Sequence, residues 1–197
     1  MSAPYCLRPI RPDEATALHE LTQAAYAEYR DSPAPSSATW ETARDVRDRL
    51  WSGAFRAVVV EAPDGNLVGA ARYRVDSDGL YFFRLCVHPE WRRQGIAQVL
   101  VGWLEDEAQH RQAQKLRCQV RLTVPRNVEL YRSCGFTVVS QHTVLRNGIE
   151  VPVVTMEKGV EPLPSLTLPS PKKGGKGIDA TTLTPPPFLG EGGGGRG

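Results

Sequence analysis

The sequence predicts an α/β (α+β) domain, a mixed sheet flanked by helices. Three observations carry this. Short runs rich in valine and aromatic residues, some alternating with polar ones, recur between turn signals. Two pairs of these runs are joined by hairpin turns, Pro63–Asn66 and Asn147–Gly148. The longer stretches between runs repeat apolar residues at helical spacing. The order read is β-α-α-β-β-β-α-β-α-β-β, about seven strands and four helices.

Tyr5 to Arg11 reads as a first strand. Pro12, Asp13 and Glu14 open a helix, since Pro fits a first turn and carboxylates favour the positive end of the helix dipole. Ala15, Leu18, Leu21, Ala25 and Tyr29 form its stripe. A Ser/Pro-rich loop, Asp31 to Ser37, leads to a second helix with Trp40, Ala43, Val46 and Leu50 on one face. Phe55 to Glu61 and Leu67 to Val75 are antiparallel partners across Pro63-Asp64-Gly65-Asn66. A strand from Leu80 to Val87 follows.

Ile96, Val99, Leu100, Trp103 and Leu104 then mark a strong amphipathic helix. Leu116 to Leu122 alternates as a strand. A short helix spans Asn127 to Cys134 and stops at Gly135, with Asn127 placed to cap it. Phe136 to Leu145 and Ile149 to Lys158 close the fold as a hairpin, Asn-Gly being the favoured type I′ pair. The four tryptophans, Trp40, Trp51, Trp91 and Trp103, read as core and edge packing.

Composition narrows the function. The 197 residues carry 24 Lys+Arg and 22 Asp+Glu, a formal charge of +2 with both signs interleaved. That balance argues against a nucleic-acid partner, whose binding needs clustered positive charge. No apolar run approaches the roughly 20 residues of a membrane helix, and the N-terminus lacks a secretory apolar core, so a cytoplasmic protein is expected. Cys6, Cys86, Cys118 and Cys134 are far apart, without C-x-x-C spacing, and no H-E-x-x-H occurs; no metal is expected.

From Gly159 to Gly197 the chain holds ten glycines and seven prolines in 39 residues. Such a stretch has too few apolar residues to offset its ordering entropy. The reading is therefore one domain, residues 1–158, and a disordered Gly/Pro-rich tail, residues 159–197.

The segment Leu85 to Gln98 carries the chemistry. A strand ends, the backbone turns through Arg92, Arg93, Gln94 and Gly95, and the long helix begins. The first amides of a helix lack intrahelical acceptors, and the dipole adds positive character. Gly95 permits close approach and Ala97 leaves it unblocked, so a pyrophosphate suits the turn; the same residues taken alone also read as an ordinary strand-to-helix turn with exposed arginines. G-x-G-x-x-G is absent, which disfavours a dinucleotide site.

These residues resemble the GNAT superfamily of acyl-CoA-dependent N-acyltransferases. The pattern [QR]-x-x-G-x-[GA] is met by Arg92, Gly95 and Ala97, and Y-x-x-x-G-F by Tyr131-Arg132-Ser133-Cys134-Gly135-Phe136. The element order matches over residues 5 to 158. The resemblance implies a mostly antiparallel sheet and transfer of an acetyl group from acetyl-CoA to a primary amine, small molecule or peptide, by a monomer or homodimer.

It further implies that the Arg93, Gln94, Gly95, Ile96, Ala97 and Gln98 amides, with Arg92, hold the CoA pyrophosphate. Leu85, Cys86 and Val87 would pair with the pantetheine arm, the Leu85 amide polarising the thioester carbonyl. Tyr131 matches the general acid.

Two positions depart from the pattern. Val124 stands where many members have an Asn contacting pantetheine, leaving Asn127 as the nearby candidate. Tyr81 stands where some have a glutamate base, leaving solvent or a carboxylate such as Glu28. These departures would also suit a non-catalytic acyl-CoA-binding or regulatory module on the same fold.

Overall fold

The computed structural model describes residues 5–161; the predicted tail lies, from residue 162 on, outside the described residues. The first strand, β1 (Cys6–Pro9), is shorter than expected because Ile10 and Arg11 already lead into the turn Pro12–Glu14. Helix α1 (Ala15–Tyr26) follows that turn, and Glu14 accepts the Arg11 amide at 2.8 Å.

The expected second helix is two elements. Ser37–Trp40 forms a 3-10 turn, and α2 (Ala43–Trp51) starts separately. Thr42 and Asp45 form a reciprocal cap: the Asp45 amide donates to Thr42 Oγ1 at 3.1 Å, and the Thr42 amide to Asp45 Oδ2 at 2.9 Å. An N-cap residue is extended, so Glu41 and Thr42 separate Trp40 from the helix.

Trp40 and Trp51 are consequently not packed; they are 58% and 73% exposed. Val46 is the buried residue of α2, and Trp51, five positions on, points about 140° away from it.

The strands are β2 (Arg56–Glu61), β3 (Leu67–Asp76), β4 (Gly79–Val87), β5 (Lys115–Arg121), β6 (Thr137–Arg146) and β7 (Ile149–Gly159). They form one sheet in the order β1-β2-β3-β4-β5-β7-β6. Every neighbouring pair is antiparallel except β4–β5, which is parallel and joined through α3 (Ile96–His110). Helix α4 (Pro125–Ser133) connects β5 to β6. It begins two residues before Asn127, which therefore lies inside the first turn and is not the cap; Pro125 takes the first position, where a missing amide proton costs nothing.

The sheet is covered on both faces, which is why β2 reads as continuous Ala57-Val58-Val59-Val60. Val58 and Val60 join Leu80, Phe82, Leu100, Leu104 and Met156 beneath α3. Ala57 and Val59 join Leu18, Leu21, Val46 and Phe55 beneath α1 and α2. A Cβ on Gly69 would stand 2.7 Å from Ile96 Cγ2, so its absence lets the start of α3 sit directly on β3.

Candidate active site

The cleft originates in a bulge. Ala70 pairs with Cys86 and Arg72 with Phe83, so the single residue Ala71 faces both Arg84 and Leu85. Arg84 absorbs the extra residue in the left-handed region, φ 50°. A bulge bends its strand and strengthens the local twist. Among the described residues β4 pairs with β5 only at Leu80–Leu116 and Tyr81–Arg117, while β5 stays paired with β7 as far as Arg121. Beyond Tyr81 the two parallel strands part. The β5-facing backbone of Leu85 to Val87 is left as an internal sheet edge, able to accept an extended chain.

The turn after β4 closes one end. The His88 amide donates to the Val68 carbonyl at 2.8 Å, and Pro89–Trp91 forms a 3-10 turn. Arg93 (φ 61°) and Gly95 (φ 79°) are left-handed, and Gly95 occupies the N-cap of α3 without a side chain to consume the helix amides. A Cβ there would meet nothing within 4 Å, so backbone conformation alone selects glycine within the chain itself. The result is a turn whose N–H groups, Arg93 to Gln98, have no acceptor among the described residues, at the positive end of a 15-residue helix.

Turn, strand edge and α4 line one cleft of about 950 Å³. Of the residues expected to hold CoA, Leu85, Cys86, Val87, Arg92, Arg93, Gly95, Ile96, Ala97, Gln98 and Asn127 all line it. Gln94 is not among its lining residues; its side-chain amide turns back to the Glu90 carbonyl at 3.4 Å. The Arg92 guanidinium is engaged with the protein, donating to Ala25 O at 2.9 Å and pairing with Glu28 at 3.1 Å.

Glu28 lies in the 3-10 turn that follows α1. Partial burial works against its charge, but the 2.7 Å hydrogen bond from Arg126 and the charges of Arg92 and Arg126 outweigh it, holding the carboxyl below its usual range. So held, it is a poor proton acceptor. Arg126 also donates to the Tyr29 hydroxyl, so Arg92, Glu28 and Arg126 link the turn, the end of α1 and the start of α4.

A second chamber, about 380 Å³, shares Tyr26, Tyr29, Leu85 and Asn127 with the first and reaches Tyr131. Tyr131 is buried in α4, its ring 5.5 Å from Phe82 and 5.8 Å from Phe136. Burial raises its phenol well above the usual value. Tyr81 also lines this chamber, stacked on Phe83 with the Arg74 guanidinium 4.6 Å above its ring. Cys86 is buried and its thiol pushed up to about 11, and burial raises Cys118 as well, so neither is a thiolate at neutral pH. Sequence reasoning missed Arg126 and the arginines of the second chamber, Arg84 and Arg121 among them, which no local motif marks.

The model of the acetyltransferase (GNAT) family matches residues 16–136. The ribosomal protein bS18-alanine N-acetyltransferase of Escherichia coli K12 is 31% identical over 84 residues, 43% of this chain and 55% of that protein. The match therefore spans about half the length of that relative. Its solved E. coli counterpart superposes with a TM-score of 0.63 at 18% identity, covering 83% of this chain and 98% of the other.

A Salmonella typhimurium protein solved with its cofactor acetyl-CoA gives a TM-score of 0.66 at 17% identity over 81% of this chain and 95% of that one. A spermidine N-acetyltransferase chimera of Vibrio cholerae gives 0.64 at 21% identity over 79% and 95%. At these identities the likeness is one of fold.

Proposed function

The chain belongs to the acetyltransferase (GNAT) family, and from that premise we propose that it moves an acetyl group from acetyl-CoA to a primary amine. The observation that carries the proposal is the parting of β4 from β5, which ends at the open amides of the Arg93–Gln98 turn. One cleft thus offers an unpaired strand edge for an amide-bearing arm and an anion site for its pyrophosphate.

In this reading the Leu85 amide donates to the thioester carbonyl and stabilises the oxyanion developing there. A neutral amine attacks the carbonyl carbon, the C–N bond forms and the C–S bond breaks. Tyr131 gives its phenolic proton to the departing thiolate and recovers one from the new ammonium through solvent. Burial keeps the phenol protonated until then, and the same apolar surroundings raise the thiolate's own affinity for a proton. The protonated state of Cys86 favours direct transfer over an acyl-cysteine intermediate.

The engagement of Glu28 and the phenol at position 81 also suit a non-catalytic acyl-CoA sensor. A thiol-release assay with acetyl-CoA and a panel of amines decides. Amine-dependent release of CoA is expected; acetyl-CoA binding without any release would leave the sensor.

A further inference from the structure

The second chamber is lined by Arg49, Arg74, Arg84, Arg121 and Arg146 and, among the described residues, by no aspartate or glutamate. Little negative charge stands behind these groups. Glu41 serves three guanidiniums, those of Arg72 (2.6 Å), Arg49 (3.1 Å) and Arg84 (3.7 Å), so one carboxylate balances three cations. Arg74 meets Asp76 at 3.8 Å. Arg121 donates only to backbone carbonyls, Ala34 at 2.5 Å and Pro35 at 3.1 Å, and among the described residues neither it nor Arg146 has an ion-pair partner. Arg84 and Arg121 approach from β4 and β5, the two strands whose parting opens the cleft, and Tyr131 lines the same chamber.

On the reading that this cleft acetylates an amine, we propose that its acceptor is a small amine carrying an anionic group, a carboxylate or a phosphate, held by Arg84 and Arg121. A planar guanidinium matches either anion through paired hydrogen bonds. Cations at this density repel a polyamine. They also disfavour the ammonium form of a bound acceptor, so it gives its proton to solvent and the neutral nucleophile forms without a carboxylate base. This accounts for a site in which position 81 is tyrosine and Glu28 is held by two arginines. Burial depresses both Arg84 and Arg121, as expected of charges short of counter-ions.

The test uses the full chain saturated with acetyl-CoA and matched amines: phenylalanine against phenylalaninamide, glycine against glycinamide, O-phosphoethanolamine against ethanolamine, with spermidine and an alanine-initiated peptide amide. The anion-bearing member of at least one pair is expected to exceed its neutral partner about tenfold or more in kcat/KM, mostly through KM. Carboxylate and phosphate arms show which anion is read. Arg121→Gln and Arg84→Gln should bring the ratio towards one. Arg146→Gln, which breaks no protein contact named above, should lower it even if Arg121→Gln disturbs the Ala34–Pro35 loop.

Equal or better turnover of neutral amines or spermidine overturns the inference while leaving acetyl transfer intact, and so does a ratio unchanged in all three variants. If no amine is turned over, calorimetric titration with the same amines decides. Anion-dependent binding removed by any of the three variants sustains the anion site and leaves acetyl transfer alone to fail; absence of such binding overturns the site.

Discussion

Arg92, in the turn before α3, donates through Nη2 to the Ala25 carbonyl in the last turn of α1, 2.9 Å away. Together with its ion pair to Glu28 at 3.1 Å, this ties the end of α1 to the turn proposed to bind the pyrophosphate. Arg92 is therefore a positioning residue in this structure. Arg92→Gln should lower stability by about 1 kcal/mol, the scale of a charged hydrogen bond at a partly exposed site. It should raise the KM for acetyl-CoA more than it lowers kcat. Thermal melts and steady-state kinetics check both; unchanged values in each would mean the latch is idle.

If acetyl-CoA binds as proposed it should stabilise the native protein, since a ligand bound only to the folded state adds RT ln(1 + [L]/Kd), and Gly95→Glu should abolish that shift. The residue is left-handed at φ 79°, so the substitution costs about 1–2 kcal/mol of backbone strain. A Cβ there meets nothing within 4 Å and the position faces open space, so the protein should still fold. Its carboxylate would then stand at the mouth of the anion site. An undiminished shift in the folded variant would remove the turn from the binding reaction.

What the sequence disclosed, and what it withheld, divides along local and non-local lines. The Asn147–Gly148 turn, the stripe from Ile96 to Leu104 and the Gly95 turn are each written within a few residues, and each stands where expected. The bulge is not. Leu80 to Val87 reads as one strand, apolar and aromatic apart from Arg84, and nothing in it marks Arg84 as the residue without a simple partner; only the register against β3 does. Glu41, between Trp40 and Thr42, carries no sequence signal of its own, yet its side chain is 6% exposed beside Arg72. That pairing joins residues 31 positions apart, beyond any periodic signal. The charge of the second chamber was hidden likewise, because Arg84, Arg121 and Arg146 come from three different strands.

Glu14 supplies a pH signature of the fold. Arg8 donates to its carboxylate twice, at 2.8 and 2.6 Å, and the Arg11 amide adds a third bond. The Arg8 hydrogen bonds lower its pKa most; burial opposes them and loses. A carboxyl depressed in the folded state stabilises above its unfolded value, near 4.3, and that contribution fades as pH falls through the folded value. Glu14→Gln should therefore cost about 1–2 kcal/mol at pH 7, with the gap to the parent closing below about pH 4. Urea melts at pH 7, 5 and 3 check this; a gap independent of pH would assign the loss to packing.

We propose that residues 1–161 contain everything acetyl-CoA binding needs. Strand β7 runs to Gly159, which pairs with Lys115, and Val160 is buried with its amide on the Gln114 carbonyl at 2.9 Å. Truncation after Glu161 should leave melting temperature and the acetyl-CoA shift unchanged. Truncation after Lys158 removes the Val160 side chain and should cost about 1–3 kcal/mol. Equal melting of the two truncated chains would show that Val160 contributes nothing.

Tyr131 bears the sharpest expectation. Its ring is clamped by Phe82 and Phe136, so Tyr131→Phe keeps the packing and removes only the hydroxyl of a residue that lines the second chamber. If that hydroxyl protonates the thiolate, kcat should fall on the order of ten- to a thousand-fold, the range of a lost proton donor. The acetyl-CoA thermal shift should persist, because the turn and strand edge proposed to hold the cofactor are untouched. The alkaline side of the rate profile gives a second readout. Burial holds the phenol well above its usual value near 10, so the parent should keep its acid as pH rises through 10, where an ordinary phenol would lose its proton. Normal turnover by folded Tyr131→Phe, with the parent's pH profile, would leave solvent or the acceptor ammonium to supply the proton.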